Sequence, residues 1–198
     1  MLPTMSAATK PLLGYDDLWA LGCDDNPNEL IHGEILPKAL VGNDHQTVEY
    51  GLTVWIGRRF NRQASGRWPG GWWIRPEIHV VYEAHEIYCH DLAGWRRELH
   101  PDLGHGWVRH RPDWSCEILS RGHEKRDRVD KLGTLHRAGV PYYWIVNHDE
   151  KILEIYRNEP AGFVLIKSAG AGEAIRAEPF DAVELRTSVI FGDEDDED

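Results

Sequence analysis

Apolar residues recur at helical spacing in three segments of the chain and gather into short runs elsewhere. The first helical segment is short, Tyr15 to Gly22, with Leu18, Trp19 and Leu21 as its apolar positions. The second starts at the Asn43-Asp44 pair, residues suited to capping a helix N-terminus. It runs to about Asn61 with Val48, Leu52, Val54, Trp55, Ile56 and Phe60 on it, and Arg58, Arg59 and Arg62 at its C-terminal end, where cations suit the helix dipole. The third covers Asp127 to Arg137, with Val129, Leu132 and Leu135 at period 3.6 and Gly139 as its C-cap. Between them the pattern predicts strands. Leu30-Ile31 and Ile35-Leu36 flank His32-Gly33 as a hairpin, and Ile78 to Tyr82, Glu86 to Cys89 and Trp114 to Leu119 are short apolar runs. Tyr142 to Val146 and Ile152 to Tyr156 pair around His148–Lys151, and Phe163 to Ile166 and Val183 to Ile190 continue the β character. Asp24 to Asn28 reads as a turn, Gly66 to Trp73 as a loop, and 92–112 as a long irregular loop rich in Arg, His, Gly and Pro. No repeat or linker divides the chain, so the expectation is one mixed α/β domain over 14–192, with a flexible N-terminal arm at 1–13.

Composition narrows this further. With 198 residues, 41% of them hydrophobic, and nine tryptophans, the chain has the length and apolar content for a packed core, which excludes a disordered chain. No run of about 18 apolar residues occurs, so no membrane span is expected. No signal peptide is visible, and Cys23, Cys89 and Cys116 form no CxxC pair, which makes the cytoplasm the expected compartment and buried free thiols the simplest reading. The net charge is −11, which on its face argues against a nucleic-acid partner. More than half of that charge is local. Residues 193–198 are all acidic and read as a disordered tail. Residues 107–131 instead hold seven bases against five acids.

Three residues stand out chemically. Glu117 lies inside the apolar run Trp114–Leu119; it either faces water from an edge strand or is buried and then needs a cation or metal, because an unpaired buried carboxylate costs several kcal/mol. Asp91 follows a β-like run and is expected at the strand's end, as a turn residue or as a metal ligand. Lys131 sits on the helix after Glu117's strand, either solvated or reaching back over the strand end. Together two carboxylates, a hard divalent cation and an ammonium are the equipment for phosphodiester hydrolysis. His32, His45 and His123 are candidate proton carriers. Cys89-His90-Asp91 is poor ligand spacing, and no HExxH, GxSxG, GxGxxG or P-loop occurs.

Four separated runs occur in an order that resembles the Uma2 family of restriction-endonuclease-like proteins. They are Asp91-Leu-Ala-Gly-Trp-Arg-Arg97, Pro112-Asp-Trp-Ser-Cys-Glu-Ile-Leu-Ser120, Arg126-Asp-Arg-Val-Asp-Lys-Leu132 and Ala138-Gly-Val-Pro-Tyr-Tyr-Trp-Ile-Val146. The resemblance spans roughly 14–190. It implies a restriction-endonuclease-like core, a central mixed β-sheet flanked by helices. It also implies metal-ligand roles for Asp91 and Glu117 with Mg²⁺ or Mn²⁺, and a catalytic lysine supplied by Lys131 in place of the one normally two residues after the Glu, here Leu119. Glu34 would supply an extra acid, with His45 and Arg126 as accessory groups. The implied activity is a metal-dependent endonuclease acting on nucleic acid, DNA first, with a homodimer a family-level expectation; a binding or interaction module on the same fold that has lost cleavage is a second reading, and a metal-dependent hydrolase acting on something other than DNA a third. The chain departs from the family pattern at His90, where Pro is usual, at Ser120-Arg121-Gly122-His123 in place of Ser-Pro-Ser-Thr, and at the His-Gly turn before Glu34.

Overall fold

The computed structural model describes residues 11–22, 27–194 and 196. Most of the expected arm, and all but the end of the turn at 24–28, lie outside those residues. The elements are α1 (Tyr15–Trp19), β1 (Asn28–Ile31), β2 (Glu34–Pro37), α2 (Asn43–Phe60), β3 (Trp72–Glu83), β4 (Glu86–Arg96), β5 (Trp114–Ile118), α3 (Lys131–Ala138), β6 (Tyr142–Asn147), β7 (Ile152–Glu159), β8 (Gly162–Gly170), β9 (Ala174–Ile175), β10 (Leu185–Arg186) and α4 (Thr187–Ile190). β1 to β8 form one sheet in the order β2-β1-β4-β5-β6-β7-β8, with β3 also on β4. β5 and β6 are parallel and every other pair in the sheet is antiparallel. The parallel pair requires a crossover, and α3 supplies it. This is the mixed sheet with flanking helices that the sequence implies.

One face of the sheet is covered by α2. Its buried apolar residues, Val48, Leu52, Trp55, Ile56 and Phe60, form a single stripe, with His45 and Arg59 also buried. That stripe packs on Leu92, Trp114, Cys116, Trp144 and Val146. Gly51 lies where a Cβ would come within 3.0 Å of the Ile190 backbone, so its lack of a side chain admits α4. Leu135 and Val140 cover the other face with Tyr88, Tyr143 and Ile145. The hairpin turn has His32 at φ 53° and Gly33 at φ 74°, two positive values that match the twist of the flanking strands. Its tip is tied to β4 by the Glu86 carboxylate, which accepts from the His32 backbone N–H at 3.2 Å and lies 2.8 Å from His32 Nδ1.

Several expectations are corrected. The loop expected from residue 92 begins only after Arg96, because Leu92, Ala93 and Gly94 are paired on both edges, to β3 and to β5. A strand buried on both faces loses its alternation, and the Ala-Gly pair reads as an exit from the sheet. Gly94 is there because a Cβ would lie 3.0–3.3 Å from Ile74, Trp114 and Trp72. Asp91 is therefore inside β4, not at its end. Trp72 and Trp73 open β3 and do not belong to a loop. Residues 183–190 yield a two-residue strand and one helical turn. The helix expected over 127–137 is a π-helical turn, Arg126–Asp130, running into α3. Its N-terminal partner α2 is capped at Gly42, and neither Asn43 nor Asp44 caps it. Apart from these corrections, Leu13 N–H donates to Gly33 O at 2.9 Å, and Asp193, Glu194 and Asp196 contact Lys151, Ser188 and Arg59; the rest of the expected arm and tail lies outside the described residues. Cys89 and Cys116 are buried free thiols.

Phe180 joins the fold's C-terminal part to the α2 face. Its ring lies 4.7 Å from Phe60, 5.0 Å from Trp72, 4.9 Å from Trp114 and 5.6 Å from Trp144, centroid to centroid. Phe180→Ala should lower unfolding free energy by about 3–5 kcal/mol, measured by urea titration. A loss below about 1 kcal/mol would mean that this aromatic cluster is not what holds the segment.

Candidate active site

The far edge of β4 is shared by two strands. β1 meets it at Ile87, and β5 pairs with it from Leu92 to Gly94. Between those contacts the sheet has a gap, and side chains take over bonds that a ladder would have made. Glu29 on β1 accepts the Cys89 backbone N–H at 3.1 Å, and Asp91 Oδ2 accepts the Ile118 backbone N–H at 2.6 Å. Because Leu92 faces Cys116 in the register, Asp91 and Glu117 stand opposite each other where β4 and β5 part.

Lys131, the first residue of α3 after the π turn, reaches into this gap. Its Nζ lies 2.9 Å from Glu29, 3.1 Å from Glu117 and 3.2 Å from Asp127. It is only 1% exposed. Burial works against its charge, but the three carboxylates outweigh burial and hold its pKa well above the ordinary lysine value. Arg126 adds a contact to Glu29 at 3.3 Å. Asp91 has a different set of partners. Lys38, on the segment after β2, sits 2.6 Å from Asp91 Oδ1 and donates to both Glu77 oxygens at 2.9 Å. His45 Nε2, from the first turn of α2, lies 3.3 Å from Asp91 Oδ2. Burial would raise the Asp91 pKa, yet Lys38 and His45 together drive it far below the usual carboxylate range. Asp91 Oδ1 is buried without a hydrogen bond of good geometry, so its contact with Lys38 is ionic.

Glu117 is the opposite case. Burial pushes its pKa up to about 8, with Lys131 pulling down and Asp91 and Glu29 adding to the rise. Its Oε1 lies 2.5 Å from His90 Nδ1, and His90 Nε2 lies 2.7 Å from the Tyr82 hydroxyl. Burial, then Lys131, holds His90 down to about 3, so the ring is neutral. When Glu117 is ionised, Nδ1–H donates to it and Tyr82 donates to Nε2. When Glu117 is protonated, both bonds reverse and the other tautomer fills them.

The structure thus brings together Asp91, Glu117, Lys131, His45 and Arg126. Glu34 is not among them: it opens the edge strand at the hairpin tip, opposite Ile31, and faces water. Glu29, on the inner strand, stands at the gap instead. Its signal was an acid beside Leu30-Ile31 in an apolar run. Lys38, His90 and Asp127 were likewise missed; nothing local marks Lys38, whereas His90 interrupts an apolar run. The cluster lines a cavity of about 20 Å³ shared by Glu29, Lys38, Asp91, Glu117, Asp127 and Lys131. That is room for one water-sized occupant. Outside it lies a cleft of about 730 Å³ bordered by Lys38, His45, Arg121, His123 and His148. Among the described residues, no three His, Cys, Asp or Glu side chains gather so as to hold a metal ion.

The central mixed sheet flanked by helices matches a restriction-endonuclease-like core. The chain belongs to the Uma2 family, described as "Putative restriction endonuclease", which it matches over residues 19–188. It is similar in fold to a crystal structure described as that of "a putative nuclease belonging to DUF820 from Anabaena variabilis", with a TM-score of 0.71 at 16% identity, covering 91% of this chain and 98% of that one. No curated protein matches the chain. No described helix is long and apolar enough to cross a membrane.

The raised acids give the site a pH signature. Protonated Glu117 and Asp127, the latter raised to about 7, favour the folded state, and that contribution is lost as pH climbs through their folded values. His90 acts in reverse, but only below its ordinary 6.5. Between pH 6.5 and about 8 the melting temperature should therefore fall, and Glu117→Gln should fall less steeply. Identical slopes for the two proteins would show that Glu117 ionises freely.

Proposed function

We propose that this cluster hydrolyses phosphodiester bonds of nucleic acid, DNA first, with Mg²⁺ or Mn²⁺ held by Asp91 and Glu117. The observation that carries this reading is the pairing of Asp91 and Glu117 across the gap, in a water-sized cavity that shares Lys38, His45, Ser120 and His123 with the larger cleft. The donor set is of the type a hard cation takes, the carboxylate oxygens of Asp91 and Glu117, with Lys38 Nζ 2.6 Å from Asp91 Oδ1. Once bound, such a cation lowers the pKa of a water and offsets charge on a phosphoryl oxygen. The chain's own residues do the rest. Lys131 and Arg126 fix Glu29 and Glu117 in place. His90 Nδ1 takes up the hydrogen bond when Glu117 ionises, so Glu117 stays oriented in either state. His45 holds Asp91, and Arg121, His123 and His148 border the cleft through which a phosphate approaches.

One observation favours a second reading, a nucleic-acid-binding module without cleavage. Lys38 already neutralises Asp91 at 2.6 Å. A cleavage assay on supercoiled, linear and single-stranded DNA separates the two. The hydrolase reading predicts Mg²⁺- or Mn²⁺-dependent cleavage that falls about 10²–10³-fold in Glu117→Gln and in Asp91→Asn. Equal activity in all three proteins would overturn the assignment, and salt-sensitive binding without cleavage would favour the binding module.

A further inference from the structure

A second basic feature lies at the other end of the sheet. α2 carries His45 of the cluster near its start and Phe60 at its end, about 22 Å further on at 1.5 Å per residue. Phe60 there borders a separate cavity of about 660 Å³ with Gly71, Trp72, Trp73, Arg96 and Arg97. Strand periodicity groups the side chains around Trp73. Trp73 and Arg75 are two apart on β3 and share a face; Trp73 pairs with Trp95, and Arg97, the residue just after β4, stacks on the same indole. The Arg97 guanidinium lies 3.5 Å from the Trp73 ring centroid, and that of Arg75 lies 5.3 Å from it. Arg96 lies 5.4 Å from the Trp72 centroid on the adjoining strand edge.

These cations are held in place without being neutralised. Trp73 is fixed by its Nε1–H donating to His100 O at 3.0 Å. Arg97 Nε donates to Trp72 O at 2.8 Å, and Arg75 donates to Ile74 O at 2.9 Å and Asn61 Oδ1 at 3.5 Å. Among the described residues no carboxylate lies within salt-bridge distance of the Arg75, Arg96 or Arg97 guanidinium, although Glu98 borders the cavity. Burial and the charge of Arg75 lower the pKa of Arg97, as expected for like charges with no acid between them. In a chain with a net charge of −11, these three half-buried arginines form a local cationic patch.

We infer that this end of the sheet is a docking surface for the phosphodiester backbone of nucleic acid, separate from the cluster at the gap. The indole faces are turned to guanidinium groups, so Trp73 is not free to stack on bases. Stacking leaves the guanidinium edges to donate to phosphate oxygens, and two charges on one indole suit neighbouring phosphates of a strand. Such contacts position the nucleic acid without reading its sequence.

The test is fluorescence anisotropy with a labelled 20-nucleotide single strand and a 20-base-pair duplex, from 50 to 200 mM salt and in EDTA. EDTA makes the outcome independent of any metal at Asp91 and Glu117. Arg75→Gln/Arg97→Gln should bind at least tenfold more weakly at 50 mM salt, with a duplex salt slope shallower by about 2. Arg75→Lys/Arg97→Lys should recover most of that slope. Ultraviolet cross-linking of a bromouracil-containing strand to wild type gives a readout that needs no variant. Adducts in the peptides around Trp73 or Arg97 support the surface, and adducts confined to the cleft at His45 and His123 overturn it. An unchanged slope in the glutamine variant, or binding of polyglutamate but not of either oligonucleotide, also overturns it.

Discussion

The structure turns on the neutralisation of buried charge at Lys131. Its ammonium touches three carboxylates that arrive from three parts of the chain: Glu29 from the N-terminal hairpin, Glu117 from the central strand and Asp127 from the π turn. Removing one ion from such a set leaves the others uncompensated in a medium that solvates them poorly, which costs several kcal/mol. The hairpin is thus bound to the body by charge as well as by packing. Lys38 extends the constraint, because it ties the segment after the hairpin to Asp91 and Glu77.

That constraint explains why the sheet tolerates a gap. Where β1 leaves β4 and β5 has not yet joined it, backbone N–H groups would lose their ladder partners. Glu29 and Asp91 accept two of them. The same carboxylates that complete the sheet therefore form the wall of the cavity, so structure and chemistry rest on the same atoms. The apolar clusters on the two faces hold the break open: Leu92 and Cys116 are gripped from the α2 side, and Tyr88 and Tyr143 are gripped from the α3 side.

Much of this was legible in the sequence. The three helical segments and the principal strands were visible in spacing alone, and Glu117 announced itself as an acid in an apolar run. Lys131 followed from its place on the next helix. What was not legible has physical reasons. β4 is buried on both faces along nearly its whole length, so Ala93-Gly94 looked like an exit from the sheet, although Gly94 is where packing forbids a side chain. Glu34 and Glu29 sit in the same hairpin, and which of them points into the gap is decided by the pairing of β1 with β4, a long-range contact. Lys38 carries no local mark because its partners lie 39 and 53 positions further along the chain.

The charge balance also takes a definite form. Part of the net −11 is a terminal acidic run whose described members contact Lys151, Ser188 and Arg59, and part is buried and paired at the gap. Three arginines with no acid within salt-bridge distance among the described residues, Arg75, Arg96 and Arg97, gather at the distal end of β3 and β4. The most direct test of the central claim is a crystal of the wild-type protein grown with Mn²⁺ and measured at the manganese absorption edge. The account predicts an anomalous peak in contact with both Asp91 and Glu117, with Lys38 moved off Asp91. A peak elsewhere, or none with Lys38 still on Asp91, would contradict it.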